Sequence, residues 1–162
     1  MANKDLPQGF RPYGRVKQVA VMEAGSACYP GDFVSLASDG QVDPTGAGST
    51  ILGLCLSYAS AAGQKVLVSV DPEQLYVGQA DESEIDAQTD IGNNCDIVAT
   101  GGNTTYKTSR QEIDSSTIGA SAAQLTIVGL DRGADNAFGE FAEVIVRINE
   151  HQAFGKDAFA GV

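Results

Sequence analysis

Histidine, serine and carboxylate side chains are the groups in this sequence that could support catalysis. His151 is the only histidine, and histidine is the commonest general base because its pKa lies near neutrality. Asp114, Ser115 and Ser116 could complete a Ser-His-Asp set, but one histidine among many serines matches such a set by chance. The segment 119–123 fails the nucleophile-elbow pattern at its last position. We therefore predict a structural role for His151 and no catalytic residues.

The three cysteines are Cys28, Cys55 and Cys95. Their odd number and wide spacing fit neither a disulfide framework nor a CxxC metal site. We expect reduced thiols in a protein made in a cytosol.

Metal and phosphate chemistry has two candidate segments. Residues 71–90 hold seven carboxylates and no lysine or arginine, but their spacing does not follow an EF-hand loop, so a solvated acidic face is favoured over a weak calcium site. Residues 46–50 are glycine-rich yet lack the Gly-Lys of a P-loop. We predict no bound metal and no cofactor.

Charge and hydropathy exclude two classes of partner. The formal net charge is −11 and the sequence pI is about 4.3, which argues against direct nucleic-acid binding because no wide basic face is available. The longest apolar stretches, such as residues 51–56, fall far short of the ~20 residues that span a bilayer.

The first 17 residues are basic, in contrast to the rest of the chain. Lys4, Arg11, Arg15 and Lys17 against Asp5 give a local charge of +3, so the remainder carries −14. Two prolines and two glycines in the same segment oppose helix formation. We predict an extended arm over 1–17. It is either a frayed terminus or an arm that docks on an acidic partner or a neighbouring subunit.

Alternating apolar residues dominate positions 18–152, as in 66–70, 125–130 and 144–148. Such alternation, rich in β-branched residues, indicates half-buried strands. Residues 81–89 lack an apolar stripe and predict at most a short surface helix. We predict an all-β domain over 18–152, a compact antiparallel β-sandwich or barrel that is jelly-roll-like, with about eight to ten strands.

Two local features complete this prediction. Asp39-Gly40 favours a tight hairpin with a primed turn between residues 33–36 and 41–42. Residues 153–162 form a small C-terminal tail whose Phe154 and Phe159 either contact a neighbour or fold back on their own domain.

The order of several segments resembles the small capsid decoration, or cement, proteins of tailed phages. The resemblance covers most of residues 31–152. The matching segments are Gly31-Asp-Phe-Val34, Ser38-Asp-Gly40, residues 51–56, residues 66–81 with their Asp71-Pro72, residues 90–94, residues 113–117, residues 125–130, Asp135-Asn136, and residues 144–152 ending in Ile148-Asn-Glu-His151. In this match His151 belongs to a strand-end motif.

The resemblance implies a non-enzymatic virion protein on the outer surface of the phage head. It would bind the major capsid protein and bridge coat subunits, as a homo-oligomer for which a trimer is favoured over a dimer. Synthesis in the host cytoplasm agrees with the N-terminal sequence, which has no apolar secretory segment. The alternatives are another β-rich virion component, such as a tail-tube or neck protein, and an enzyme or carbohydrate-binding module with an exposed aromatic platform.

Within that role, the arm supplies the predicted partner-binding residues. Arg11 and Arg15 are its electrostatic anchors, and Phe10 and Tyr13 are its apolar anchors, since arginine and aromatic side chains dominate interface energetics.

Overall fold

Two antiparallel β-sheets packed together form the body of the protein, so the predicted all-β sandwich is confirmed. A computed structural model describes residues 3–82, Ile85 and residues 88–153. The strands are Arg11–Tyr13 (β1), Val19–Glu23 (β2), Phe33–Leu36 (β3), Val42–Pro44 (β4), Gly53–Cys55 (β5), Lys65–Ser69 (β6), Leu75–Gln79 (β7), Asn94–Val98 (β8), Glu112–Asp114 (β9), Leu125–Leu130 (β10) and Glu143–Ile148 (β11).

Each sheet curls, so that the strand at one end returns towards the other side of the sheet. The six-stranded sheet has the order β1-β7-β11-β10-β8-β9, and the five-stranded sheet has the order β2-β6-β5-β3-β4. A bridge between Ala80 and Ile113 brings β9 back to the end of β7, and a bridge between Ala24 and Val42 brings β4 back to the end of β2. Curling of this kind lets each sheet wrap a core of its own.

The protein has two hydrophobic clusters, one inside each curled sheet. The larger one is built mainly from the six-stranded sheet, with Tyr76, Ile97, Leu125, Ile127, Val144 and Val146 among its members. The smaller one lies against the five-stranded sheet and includes Val42, Leu52, Val66 and Val68. β3 and β5 separate the two, because successive strand residues face opposite sides. Phe33 and Leu54 enter the larger cluster, while Val34 and Cys55 enter the smaller one.

The hairpin predicted at Asp39-Gly40 is confirmed, but its turn differs from the expected one. β3 and β4 pair antiparallel, with Leu36 opposite Val42. The Ala37 N–H donates to the Gln41 carbonyl at 2.8 Å, which leaves a three-residue loop. A three-residue loop needs a positive φ only at its last residue, and Gly40 takes it, with φ of 83°. The Asp39 carboxylate accepts the Gln41 N–H at 3.0 Å.

The sequence predicts at most a short surface helix over residues 81–89. A 3₁₀ turn at Gln88–Asp90 overlaps the end of that segment, while residues 83, 84, 86 and 87 lie outside the described residues. So do residues 154–162, which hold the predicted tail apart from Ala153. No helix in the described part of the chain is long and apolar enough to cross a membrane.

Candidate partner-binding surface

Phe10 ties the N-terminal segment to the protein's own core. Its side chain is 3% exposed, and its ring centroid lies 4.3 Å from that of Phe33. The Phe10 N–H donates to the Gly31 carbonyl at 2.9 Å. On β7, Gly78 leaves room for this ring, because a Cβ there would lie 2.2 Å from Phe10 Cε1. In this conformation Phe10 stabilises the fold and is not accessible as an anchor for a partner.

Arg11 is already matched with two carboxylates of the same chain. Its Nη1 donates to Glu143 Oε1 at 3.1 Å, and its Nη2 donates to Glu143 Oε2 at 3.0 Å and to Asp131 Oδ2 at 3.1 Å. The hydrogen bond to Glu143 is the largest cause that raises the pKa of Arg11. The guanidinium therefore holds β1, which pairs antiparallel with β7, against β11.

Tyr13 is exposed at the end of β1 and lines an open groove of about 720 Å³ on the six-stranded sheet. The groove is lined by apolar, charged and amide side chains, the amides being those of Gln88 and Asn136. Its apolar lining comprises Tyr13, Ile91, Val128, Leu130, Phe138 and Ile145, and its charged lining comprises Asp131 and Arg132. An open groove that combines apolar, polar and charged side chains suits a segment of a partner protein.

A β-bulge gives this groove one of its apolar walls. Ile127 pairs with Val146, and Gly129 pairs with Ile145, so Val128 has no partner in the β11 ladder. The extra residue turns the Val128 side chain outward, where it is 44% exposed. Gly129 within an alternating run is the sequence signal that could have indicated the bulge.

Arg15 and Lys17 lie beside the groove, in a hollow that holds both cations and carboxylates. Both residues are exposed, and together with Tyr13, Asp71 and Glu73 they line a hollow of about 230 Å³. Neither takes part in the three ion pairs found among the described residues. Tyr13 lines both the groove and the hollow. The two therefore form one surface, which we call the β1 surface: Tyr13, Arg15, Lys17, Val128, Leu130 and Ile145.

Only two of the four residues predicted as partner anchors lie on this surface. Tyr13 and Arg15 lie on the β1 surface, Arg11 is engaged at its edge, and Phe10 is in the core. The sequence prediction missed Val128 and Ile145, which reach this surface from β10 and β11.

His151 sits just after β11, where the chain crosses to the five-stranded sheet. It is buried and forms a parallel bridge with Ile51. Its Nδ1 accepts the Ala153 N–H at 3.2 Å, and the ring also hydrogen-bonds to the backbone of Val70. Burial lowers the pKa of His151 below its usual range. The neutral ring therefore serves as a link between the sheets in this structure.

The three cysteines are buried free thiols. Burial raises the pKa of Cys28 to about 12, that of Cys55 to about 11 and that of Cys95 to about 12. Thiols with such pKa values hold almost no thiolate at neutral pH and are poor nucleophiles.

In the acidic stretch 71–90, two of the carboxylates hold local structure. Asp71 Oδ1 accepts the Glu73 N–H at 2.9 Å, and Asp81 Oδ1 accepts the Ser115 hydroxyl at 2.7 Å. Within the described residues, no three histidine, cysteine or carboxylate side chains are grouped as a metal site requires. Glu84 and Asp86 lie outside those residues.

Tyrosines expose aromatic surface elsewhere on the molecule, on the loop 103–108 and beside it. Tyr106 is 77% exposed. The ring of Tyr58 packs 5.3 Å from that of Tyr29 and is covered by Lys107, whose Nζ lies 5.2 Å from its centroid. These contacts with Lys107 and Tyr29 cover part of the Tyr58 ring, so little of its face is open for stacking on a sugar.

Comparisons with known proteins add no identification. No family model matches this chain, and no similar protein is found among curated sequences.

Proposed function

We propose that this protein is a non-enzymatic virion structural protein. It binds the outer surface of a phage head, bridges neighbouring coat subunits and stabilises the mature capsid. The order of sequence segments from Gly31 to Gln152, which resembles that of capsid decoration proteins, supports this proposal. The structural observation that carries it is the β1 surface, where a groove of mixed apolar and polar lining adjoins two exposed cations.

In this role the β1 surface receives a segment of a coat subunit. An extended segment lies in the groove against Val128 and Ile145, and its acidic residues meet Arg15 and Lys17. Phe10 and Arg11 have a different part: they keep β1 on the body, so that the surface is preformed and binding requires little ordering. Each contact is weak, and repetition over a symmetric shell multiplies the affinity.

Stabilisation of the shell then follows from mass action. A ligand that binds only the expanded, mature lattice shifts the equilibrium towards that lattice and raises the temperature at which the shell comes apart.

Point variants of the β1 surface test the site. The variant carrying Arg15→Ala and Lys17→Ala should bind expanded coat shells at least tenfold more weakly at low salt, and the difference should shrink at higher salt because exposed charges are screened. Lys107→Ala removes an exposed cation from the loop 103–108 and should bind as the unmodified protein does. Equal affinity of all three proteins across the salt range would reject the β1 surface as the grip on the shell.

The alternative is a tail-tube or neck protein, which would assemble with itself. Electron microscopy of the purified protein distinguishes the two roles. Closed rings or tubes without added coat protein would favour the alternative.

A further inference from the structure

β2 is the outermost strand of the five-stranded sheet. A role for its edge can be argued separately from the proposed function. β2 pairs with β6 on one side. Among the described residues, its other side meets a strand only beyond Glu23, where Ala24 bridges Val42 of β4. The stretch from Lys17 to Met22 therefore presents an open sheet edge. At its end, the Glu23 carboxylate accepts hydrogen bonds from Lys65 Nζ at 3.2 Å and from Gln41 Nε2 at 2.7 Å.

The ladder with β6 fixes which backbone groups point outward. The Val70 N–H donates to the Gln18 carbonyl at 3.2 Å, and the Ala24 N–H donates to the Gln64 carbonyl at 2.8 Å. Even-numbered residues of β2 therefore direct their N–H and C=O groups towards β6. Because these directions alternate along an antiparallel strand, Val19 and Val21 direct theirs away from the sheet.

The same odd-numbered residues carry exposed aliphatic side chains. Val19 is 50% exposed and Val21 is 66% exposed, and Leu67, opposite Val21 on β6, is 43% exposed. An unpaired apolar edge of this kind invites pairing with another strand unless something blocks it.

β1, the corresponding edge of the other sheet, does have such protection. Pro12 at its centre has no N–H to offer, and Arg11 beside it is bound to Asp131 and Glu143. β2 has no proline and no charged residue between Lys17 and Glu23. The two edges differ in the features that prevent pairing.

We propose that β2 pairs with β2 of a second copy of this chain, antiparallel, about a two-fold axis at Ala20. Val19 of each copy then lies opposite Val21 of the other. Both residues exchange backbone hydrogen bonds across the new ladder, and two copies of Leu67 flank the four valines on the same face.

Charge complementarity selects this register. With the axis at Ala20, Lys17 of each copy lies opposite Glu23 of the other, at both ends of the pair, where it joins the exposed Glu23–Lys65 ion pair of that copy. A shift that centres the axis on Val21 places Val19 opposite Glu23. A shift that centres it on Val19 places Val21 opposite Lys17. Among these registers, only the Ala20-centred one pairs all four valines with each other and brings both ion pairs together.

The size of the interface sets the concentration at which it forms. Residues 17–23 supply a short ladder, well below the roughly 1,000 Å² of a stable interface. We therefore expect dimers in the micromolar to near-millimolar range.

Charge exchange tests the register, with sedimentation equilibrium as the measurement. Lys17→Glu and Glu23→Lys each place like charges opposite one another, and each should lower the association constant at least tenfold. The double variant exchanges the charges and should restore association. Lys4→Glu, a matched change outside β2, should associate as the unmodified protein does. Circular dichroism verifies that each variant is folded.

Cross-linking gives a second readout. The axis places Ala20 opposite Ala20 at a non-hydrogen-bonded position, where Cα atoms lie about 4.5 Å apart and a disulfide fits. Ala20→Cys should form a disulfide-linked dimer on mild oxidation, and Val21→Cys should not. No self-association of the unmodified protein over the stated range would overturn the proposal, as would association unaffected by either charge reversal. So would loss of association on removal of residues 154–162, which would identify that segment as the occupant of the edge.

Discussion

The side-chain amide of Gln111 pairs with the backbone of Phe33 as a neighbouring strand residue would. The Phe33 N–H donates to Gln111 Oε1 at 2.8 Å, and Gln111 Nε2 donates to the Phe33 carbonyl at 3.4 Å. At the other end of β3, the Leu36 N–H donates to Gln152 Oε1 at 2.7 Å, and Gln152 Nε2 donates to the Leu36 carbonyl at 2.8 Å. Gln111, just before β9, and Gln152, just after β11, thus connect the six-stranded sheet to β3 of the five-stranded sheet.

Gln111→Met should destabilise the fold by about 1–3 kcal/mol, because a residue of similar size would leave the buried N–H of Phe33 without this partner. The Phe33 carbonyl keeps the hydrogen bond from the Thr45 N–H at 2.8 Å. Chemical denaturation measures the change. Gln8→Met, at an exposed position, is the matched control and should change stability by less than about 0.5 kcal/mol. If both variants unfold at the same denaturant concentration, the amide of Gln111 does not connect the sheets as described.

Gly78→Ala should lower stability by about 1–3 kcal/mol, since the added methyl group overlaps the ring of Phe10. Gly129→Ala is the control, because a Cβ there meets nothing within 4 Å. In a Phe10→Ala background the cost of Gly78→Ala should largely disappear, and a double-mutant cycle of unfolding free energies measures that coupling. If the cycle shows no coupling, the Phe10 ring does not pack against Gly78 as described.

Glu112 gives the stability a dependence on pH. Burial, followed by the nearby carboxylates of Asp5, Asp81 and Glu82, raises the pKa of Glu112 to about 7. The folded state thus holds a proton that the unfolded chain has released above its own, lower pKa, so this contribution to stability is lost as the pH rises towards and through 7.

The variant Glu112→Gln should therefore gain stability relative to the unmodified protein as the pH rises from about 5 to about 8, the interval in which the two states differ in protonation. Thermal unfolding across that range measures the difference, which separates Glu112 from the opposite trend expected of His151. The exposed Glu140 provides the control substitution, Glu140→Gln. A difference between Glu112→Gln and the unmodified protein that stays constant with pH would contradict this assignment.

The cysteines should resist thiol reagents in the folded protein. Their raised pKa values and burial leave little accessible thiolate at pH 8, so reaction with a chromogenic disulfide should be slow and should require unfolding. In denaturant all three thiols should react at once. Rapid release of one equivalent of the coloured thiol on reaction with the native protein would show that one of these cysteines is accessible.

Local patterns predicted much of the fold. Alternation of apolar residues located β10 and β11 closely, because one face of each strand meets a core. β1 was not predicted, because Arg-Pro-Tyr has no strand pattern and pairs with β7 only through contacts distant in sequence. The curling of the sheets and the glutamine contacts of β3 also depend on such distant contacts.

The candidate site was predictable to a similar degree. Charge and residue type pointed to Tyr13 and Arg15, which are exposed. They could not reveal that Phe10 is buried, since its place in the core depends on the missing side chain of Gly78. Nor could they reveal that Val128 lines the same groove as Tyr13, since its outward position requires the bulge in β10.

Co-sedimentation of the full-length protein with coat shells tests the proposed function most directly. Intact expanded shells without decoration are compared with unexpanded shells of the same coat protein. A capsid decoration protein should bind expanded shells saturably, at a fixed ratio to coat subunits, and should bind unexpanded shells much more weakly. No binding to either, with the shells verified as intact and expanded, would contradict the capsid role.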